Sequence, residues 1–302
     1  MRDSARATDV GGLMNSTPWP VVDHSFLAAL QQRRPTPFPH GLSGDPRLSL
    51  ESIARLGDEL GAGSISAEQA QKPLVSADAG AGTTLEVVAV SDQIRALAAN
   101  DSWFTLLNIE QSETYRDLVD QVLEGMAAGA GLDPRTMKRR MGFVFASSPG
   151  SVTAAHFDIE HSFLLQLEGH RRLGFGRFSS TEDREREVHR YWNGSFGRLD
   201  TLPEQTLELE LGPGQGAYIP PYTPHWIANG DATSLSLTVT FFNRDNADES
   251  MVQAFNERLR RRGLSPRTYG EAPVRDRAKV TFMRAYGAAK RRVKGPETSA
   301  SH

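Results

Sequence analysis

SSPGSVTAAHFDIEHSFLLQLEGHRR, residues 147–172, decides how this chain reads. A serine–proline turn opens it, the apolar run His161–Leu167 has the length of a strand, and Gly169 marks a hairpin before the next run. Inside it, HFD sets His156 and Asp158 two apart, and on a strand a period of two sends both side chains to one face. His225 follows later as a third candidate ligand. Two imidazoles and one carboxylate on one side of a metal leave the opposite positions free for a cosubstrate and oxygen. The HxD pair alone is weak, because 8 His and 18 Asp supply about half such a match by chance.

Working outward, MGFVFAS, RRLGFGRF, TLELEL, GAYIP and SLSLTVTFF are further short runs separated by Gly, Pro and Asn. Half a dozen such strands predict a sandwich or barrel, and a jelly roll binds ligands at its mouth. Upstream, Trp103–Ile109 reads as a strand and Ser112 as the N-cap of a helix. Tyr115, Leu118, Val119, Val122, Leu123 and Met126 share one face of that helix. A second helix is expected over Leu50–Leu60 and a loop over the Ala-, Gly- and Ser-rich residues 61–82. Residues 1–15 and the C-terminal tail are expected to be disordered, with Met14 as an alternative start. The expected organisation is an irregular and helical region over 1–85, a catalytic domain over 86–245 and a basic helical region over 246–302.

The chain has 302 residues, 38% hydrophobic and 24% charged, enough for one large core with appendages. The lack of cysteine excludes disulfides, thiolate zinc, iron–sulfur clusters and a cysteine nucleophile, so any metal rests on His and carboxylates. No G-x-S-x-G elbow supports a hydrolase triad. No apolar run reaches signal-peptide or membrane-span length, and the expectation is a cytoplasmic protein with no membrane partner. The net charge of -3 hides a basic segment: residues 251–294 carry 13 Lys or Arg against Glu257, Glu271 and Asp276. Such a segment is a solvated helical face, a nucleic-acid contact, a site for an acidic partner or an interface with a second copy.

The spacing of SSPGSVTAAHFDIEHSFLLQLEGHRR, of GQGAYIPPYTPHWIANGDATSLSLTVTFF (214–242) and of NIEQSETYRDLVDQVLE (108–124) resembles that of bacterial JmjC-like cupins. The core is also similar to that of the asparaginyl hydroxylase of hypoxia-inducible factor. The resemblance implies a mainly β fold with flanking helices, the double-stranded β-helix (jelly-roll) of JmjC type. It implies an Fe(II)- and 2-oxoglutarate-dependent dioxygenase that hydroxylates a C–H bond, with His156, Asp158 and His225 as both metal ligands and catalytic residues. It places the cosubstrate against Thr153 and Arg171, with Ser162 and Thr240 at positions where relatives carry Asn. Family members usually have Lys where Arg171 stands; a guanidinium supplies a bidentate pair to the same carboxylate. A protein or peptide side chain is the implied substrate, ahead of RNA or a small metabolite. The C-terminal helices stand where related hydroxylases form homodimers.

Two other classes stay open: a non-catalytic cupin that binds a metal or ligand as a regulator or partner-binding module, and a metal-dependent cupin that works without 2-oxoglutarate. Gln166 shares a strand face with Ser162 and Leu164 and is a candidate pocket residue, while Phe157, Phe163, Leu164, Leu165 and Trp226 are expected as apolar walls. His161 and His189 are read as solvated, and Arg171 is also compatible with the surface of a hairpin.

Overall fold

The computed structural model describes residues 20, 22–69, 74–75 and 89–294. The expected disorder at both ends and the alternative start at Met14 lie outside these residues, as does half of the expected loop 61–82.

Eleven strands are found among the described residues: β1 Thr36–Pro39, β2 Ile65–Gln69, β3 Ser102–Leu107, β4 Lys138–Ser147, β5 Val152–His156, β6 His161–Glu168, β7 Arg171–Arg177, β8 Glu204–Leu211, β9 Gln215–Ile219, β10 His225–Asn229 and β11 Ser234–Phe242. They form a seven-stranded sheet, β1-β9-β6-β11-β4-β3-β2, facing a four-stranded sheet, β5-β10-β7-β8. Every pairing is antiparallel. This is the expected jelly roll. Its helices are α1 Ser25–Gln31, α2 Leu50–Leu60, α3 Val90–Arg95, α4 Glu113–Ala130, α5 Thr181–Arg190, α6 Arg244–Arg260 and α7 Pro273–Lys294. None of them is long and apolar enough to cross a membrane.

β11 is buried at all nine positions, because both faces of the large sheet are covered. Leu235, Leu237, Val239 and Phe241 point to the helix side, where they join Phe163 and Leu165 of β6 and the α4 stripe Leu118, Val122, Leu123 and Met126. The alternate residues, Ser234, Ser236, Thr238 and Thr240, face the other sheet. There the apolar filling is Leu164, Leu173, Phe175, Ala217, Ile219 and Ile227. A third cluster, with Ala155, Phe157, Val188, Leu199, Tyr222, Trp226 and Phe242, closes one end of the barrel beneath α5 and α6.

Helix α2 and the buried face of α4 match the sequence reading, although the Ser112 side chain makes no capping bond. Three features differ. The loop expected over 61–82 contains β2, held by its ladder to β3. β1 and β2 both belong to the large sheet, so residues before 86 contribute to the domain expected to begin there. Phe163 and Leu165 are not pocket walls; they stand on the helix side of β6, and only Leu164 between them faces the barrel interior.

Candidate active site

His156 ends β5 and His225 begins β10, and the two are paired across the ladder with ring centroids 4.2 Å apart. Phe175 is the partner of His225 on its other side. Asp158 is not on a strand, so the period-two argument for its direction fails. It lies in the turn between β5 and β6, and tertiary hydrogen bonds fix that turn instead. Phe157 N donates to Gly197 O at 3.1 Å, Tyr222 N donates to Asp158 O at 2.6 Å, and Asn246 Nδ2 donates to Ile159 O at 2.8 Å. Gly197 has φ +81°, and a Cβ there would fall 2.0 Å from Phe157 O, so only glycine lets the two loops meet. Gly174 likewise leaves room for the Trp226 ring, 2.2 Å from where its Cβ would be.

One nitrogen or oxygen from each of His156, Asp158 and His225 lies within 4.8 Å of the others. The His225 Nε2 to Asp158 Oδ2 distance is 3.7 Å. Both imidazoles use Nδ1 on a backbone carbonyl: His156 on Ala154 O at 2.8 Å and His225 on Thr223 O at 3.0 Å. A carbonyl only accepts, so Nδ1 carries the proton in each ring and Nε2 presents its lone pair to the cluster. Burial, with the neighbouring His225, pushes His156 down to about 3, so its ring is neutral at neutral pH. Arg198, whose pKa is lowered by burial, bridges His156 through the backbone.

Below the triad the interior turns polar. Arg171, at the start of β7, is 3% exposed rather than on a hairpin surface. Its Nη2 donates to Ser234 Oγ at 2.8 Å, and Gln166 Nε2 reaches the same oxygen at 3.0 Å. No carboxylate pairs with Arg171 among the described residues, and burial pushes it down to about 9, which leaves it cationic at neutral pH. Arg171 pairs with Asn229, His225 with Phe175, so guanidinium and triad stand at opposite ends of β10. Four residues of strand, roughly 13 Å, separate those levels. Between and around them Ser162 Oγ, Gln166 Oε1, Arg171 Nε, Asn229 Oδ1, Ser236 Oγ and Thr240 Oγ1 are buried with no hydrogen-bond partner among the described residues. Ser162 and Thr240 are direct neighbours in the β6–β11 ladder. Thr153 is half-buried on β5 opposite Ile227.

His161 is buried, not solvated. Its ring stacks on Phe241 and Tyr218, Nδ1 is 2.7 Å from the Tyr218 hydroxyl, and burial drives it down to about 3. His189 is half-exposed and bound to Glu257 at 2.6 Å, away from the cluster. Several site residues carry no sequence signal. Glu160, two residues after Asp158, is pushed up to about 7 by burial and by the Asp158 charge. Tyr222 sits in the left-handed region at φ 58° with the Arg184 guanidinium 4.9 Å from its ring. Glu249 of α6, 1% exposed, bonds Arg184 and Arg33 and so ties that helix to the turn carrying Tyr222.

A search by sequence among curated proteins gives no match. Among solved structures the fold is similar to Escherichia coli YcfD, with a TM-score of 0.52 and 14% identity over 90% of this chain and 68% of that one. A second structure of that protein, described as a ribosomal oxygenase in complex with cobalt and 2-oxoglutarate, gives 0.49 and 14% over 92% and 69%. Coconut cocosin matches 35% of the chain at a TM-score of 0.25. In the sequence, residues 135–249 match the JmjC domain family, a stretch that contains His156, Asp158, His225 and Arg171. The part of the barrel that carries the triad and the buried guanidinium is thus the part that matches the JmjC domain family.

Proposed function

We propose that this chain is an Fe(II)- and 2-oxoglutarate-dependent oxygenase that hydroxylates a C–H bond of a protein or peptide side chain. Arg171 carries the reading: a guanidinium buried in the barrel with only hydroxyl and amide neighbours needs an anion, since an unpaired buried charge costs several kcal/mol. The distal carboxylate of 2-oxoglutarate is an anion of the right class, and the unpartnered buried oxygens of Ser162, Thr240 and Ser236 support a polar ligand in the same interior. Thr153 is assigned to the same cosubstrate.

The triad suits iron(II). Two neutral imidazoles present Nε2, one carboxylate completes a facial set, and each imidazole is oriented by a carbonyl behind it. Bound together, iron(II) and 2-oxoglutarate supply the oxidation: one atom of O2 enters the substrate C–H bond, the other ends in succinate, and CO2 leaves. The protein's part is to hold and orient. Arg171 fixes one end of the diacid, the triad fixes the metal end, and Phe157, Trp226 and Tyr222 wall the mouth against water.

Adding iron(II) and 2-oxoglutarate to the purified protein is expected to start oxygen uptake and succinate formation even without substrate, and omission of either stops both. Metal binding with no 2-oxoglutarate-dependent uptake would leave a ligand-binding module. Uptake unchanged without 2-oxoglutarate would mark a dioxygenase of another kind. A mass increase of about 16 Da in a peptide library treated with the active protein then identifies the substrate class.

Asn246 provides a separate check on the metal. It caps α6 together with Asn243 through its oxygen, and it holds Ile159 O through its nitrogen. Asn246→Asp keeps the oxygen and loses the donor, so the helix cap survives while the turn carrying Asp158 loosens. Iron affinity is expected to fall about 10–100-fold, the usual cost of losing an outer partner of a ligand. Unchanged affinity in a folded Asn246→Asp protein refutes this role.

A further inference from the structure

Helices α6 and α7 bury an acidic and amide face and expose a basic and aromatic one. On the inner side of α6, Glu249 and Glu257 are spent on Arg33, Arg184, His189 and Arg261. On the outer side, Arg258, Arg261 and Arg262 line a surface hollow of about 380 Å³. The Arg258 guanidinium lies 4.7 Å from the Tyr286 ring. Tyr286 and Phe282, one turn apart on α7, have ring planes within 13° of parallel and centroids 6.4 Å apart. They are 47% and 53% exposed, and Phe255 props Phe282 edge-on from α6 at 5.4 Å. Arg275 and Arg277 are exposed one to two turns before Phe282. Exposed large aromatic rings rimmed by charge mark an interaction surface.

The charge selects the occupant. In a two-fold contact between copies this patch meets itself, which sets a segment carrying 13 Lys or Arg against its own like. An acidic peptide would neutralise the arginines but has nothing to stack on the rings. A nucleic-acid strand brings phosphates and unpaired bases together, and aromatic stacking with arginine at the backbone is how single strands are held. Unpaired, splayed bases are chiefly a property of RNA loops and single-stranded stretches.

We propose that the outer face of α6 and α7 binds a single-stranded RNA segment, with phosphates in the Arg258–Arg261–Arg262 hollow and bases on Phe282 and Tyr286. This face is independent of the oxygenase reading, since none of these residues belongs to the iron or cosubstrate site. The test is fluorescence anisotropy of the full chain with a labelled 12-mer of uridine between 50 and 200 mM salt, against a duplex RNA of the same length and a poly-glutamate competitor. Saturable binding is expected, with an affinity that falls as salt rises with a log–log slope of about -1.4 for two phosphates neutralised by Arg258 and Arg262, since Arg261 is paired with Glu257. Phe282→Ser with Tyr286→Ser is expected to weaken it at least tenfold without changing the melting temperature, because both rings are half-exposed in the native state. Arg258→Gln with Arg262→Gln should flatten the slope by about 1.4. No binding at 50 mM salt overturns the proposal. So does equal binding to duplex, or displacement by poly-glutamate, which would assign the face to an acidic protein. An aromatic double variant that keeps its RNA affinity but turns a dimer into a monomer in light scattering assigns the face to a second copy.

Discussion

Asp158→Ala is expected to abolish iron-dependent succinate formation, with a loss of at least about 10³-fold, while leaving the fold in place. A loss of that size corresponds to about 4 kcal/mol of barrier. The fold survives because the Asp158 side chain is 38% exposed and its structural contact is made by the backbone, through Tyr222 N to Asp158 O. The activity does not, because the two remaining ligands are neutral imidazoles and the only anionic donor of the set is gone. Differential melting separates these effects. Iron(II) at a hundredfold excess over its dissociation constant should stabilise the wild-type chain by about 2.7 kcal/mol and Asp158→Ala by almost nothing. His156→Ala should behave alike in activity, with a larger stability loss from the packed ring pair with His225. Undiminished succinate formation in a folded Asp158→Ala protein would refute the triad.

Sequence periodicity resolved what one-sided burial writes into a chain. α4 shows its stripe because one face meets the sheet and the other meets water. The apolar runs of β6, β7, β9 and β11 show through because both faces are covered. Parity is another matter. Nothing in HRRLGF says which of Arg171 and Arg172 turns inward, and the ladder with β10 decides it: Arg171 is buried and Arg172 exposed. β2 was hidden because ISAEQ sits in a small-residue stretch and owes its conformation to pairing with β3. Helix α6 could be read only as helical and basic, since its inner face is Asn246, Glu249, Gln253, Asn256 and Glu257, polar residues buried by specific partners and invisible to a hydrophobic count. His161 is read as solvated in the sequence and is enclosed by Tyr218 and Phe241, which arrive from strands far along the chain.

The candidate site divides in the same way. The three candidate ligand types and their spacing were legible, and the structure brings them together; Arg171 entered through the family resemblance alone. The support was not: the Asp158 turn is placed by backbone atoms of Gly197 and Tyr222, which every residue possesses, and by the side-chain amide of Asn246, each more than 35 residues away in sequence. A motif records the donors a metal needs, whereas the groups that aim those donors act through carbonyls and N–H groups and leave little trace in residue identity.

Arg171→Met is expected to raise the KM for 2-oxoglutarate at least about 100-fold while leaving the cosubstrate-free protein as stable as before, or more so. Both halves follow from one observation. Without an anion the guanidinium is a buried cation held by Ser234 Oγ, and burial has already lowered its pKa to about 9. Replacing an uncompensated buried charge by an apolar chain of similar length is neutral or stabilising. Ser234 Oγ keeps Gln166 Nε2 as a partner, so the change leaves no new orphan there. With the diacid bound the balance reverses: a charge-assisted pair in a dry interior contributes more than a surface ion pair, and its loss corresponds to about 2.7 kcal/mol for a 100-fold change. The two effects are read in one melting experiment with and without succinate, which shares the distal carboxylate and needs no turnover. Wild type gains stability on adding succinate; Arg171→Met starts no lower and gains none. A variant that melts well below wild type yet keeps its KM would make Arg171 a structural residue and move the cosubstrate elsewhere. Arg171→Lys is the complementary probe: it keeps the charge but gives up the planar fork, so partial recovery of KM would separate the need for a cation from the need for two parallel donors.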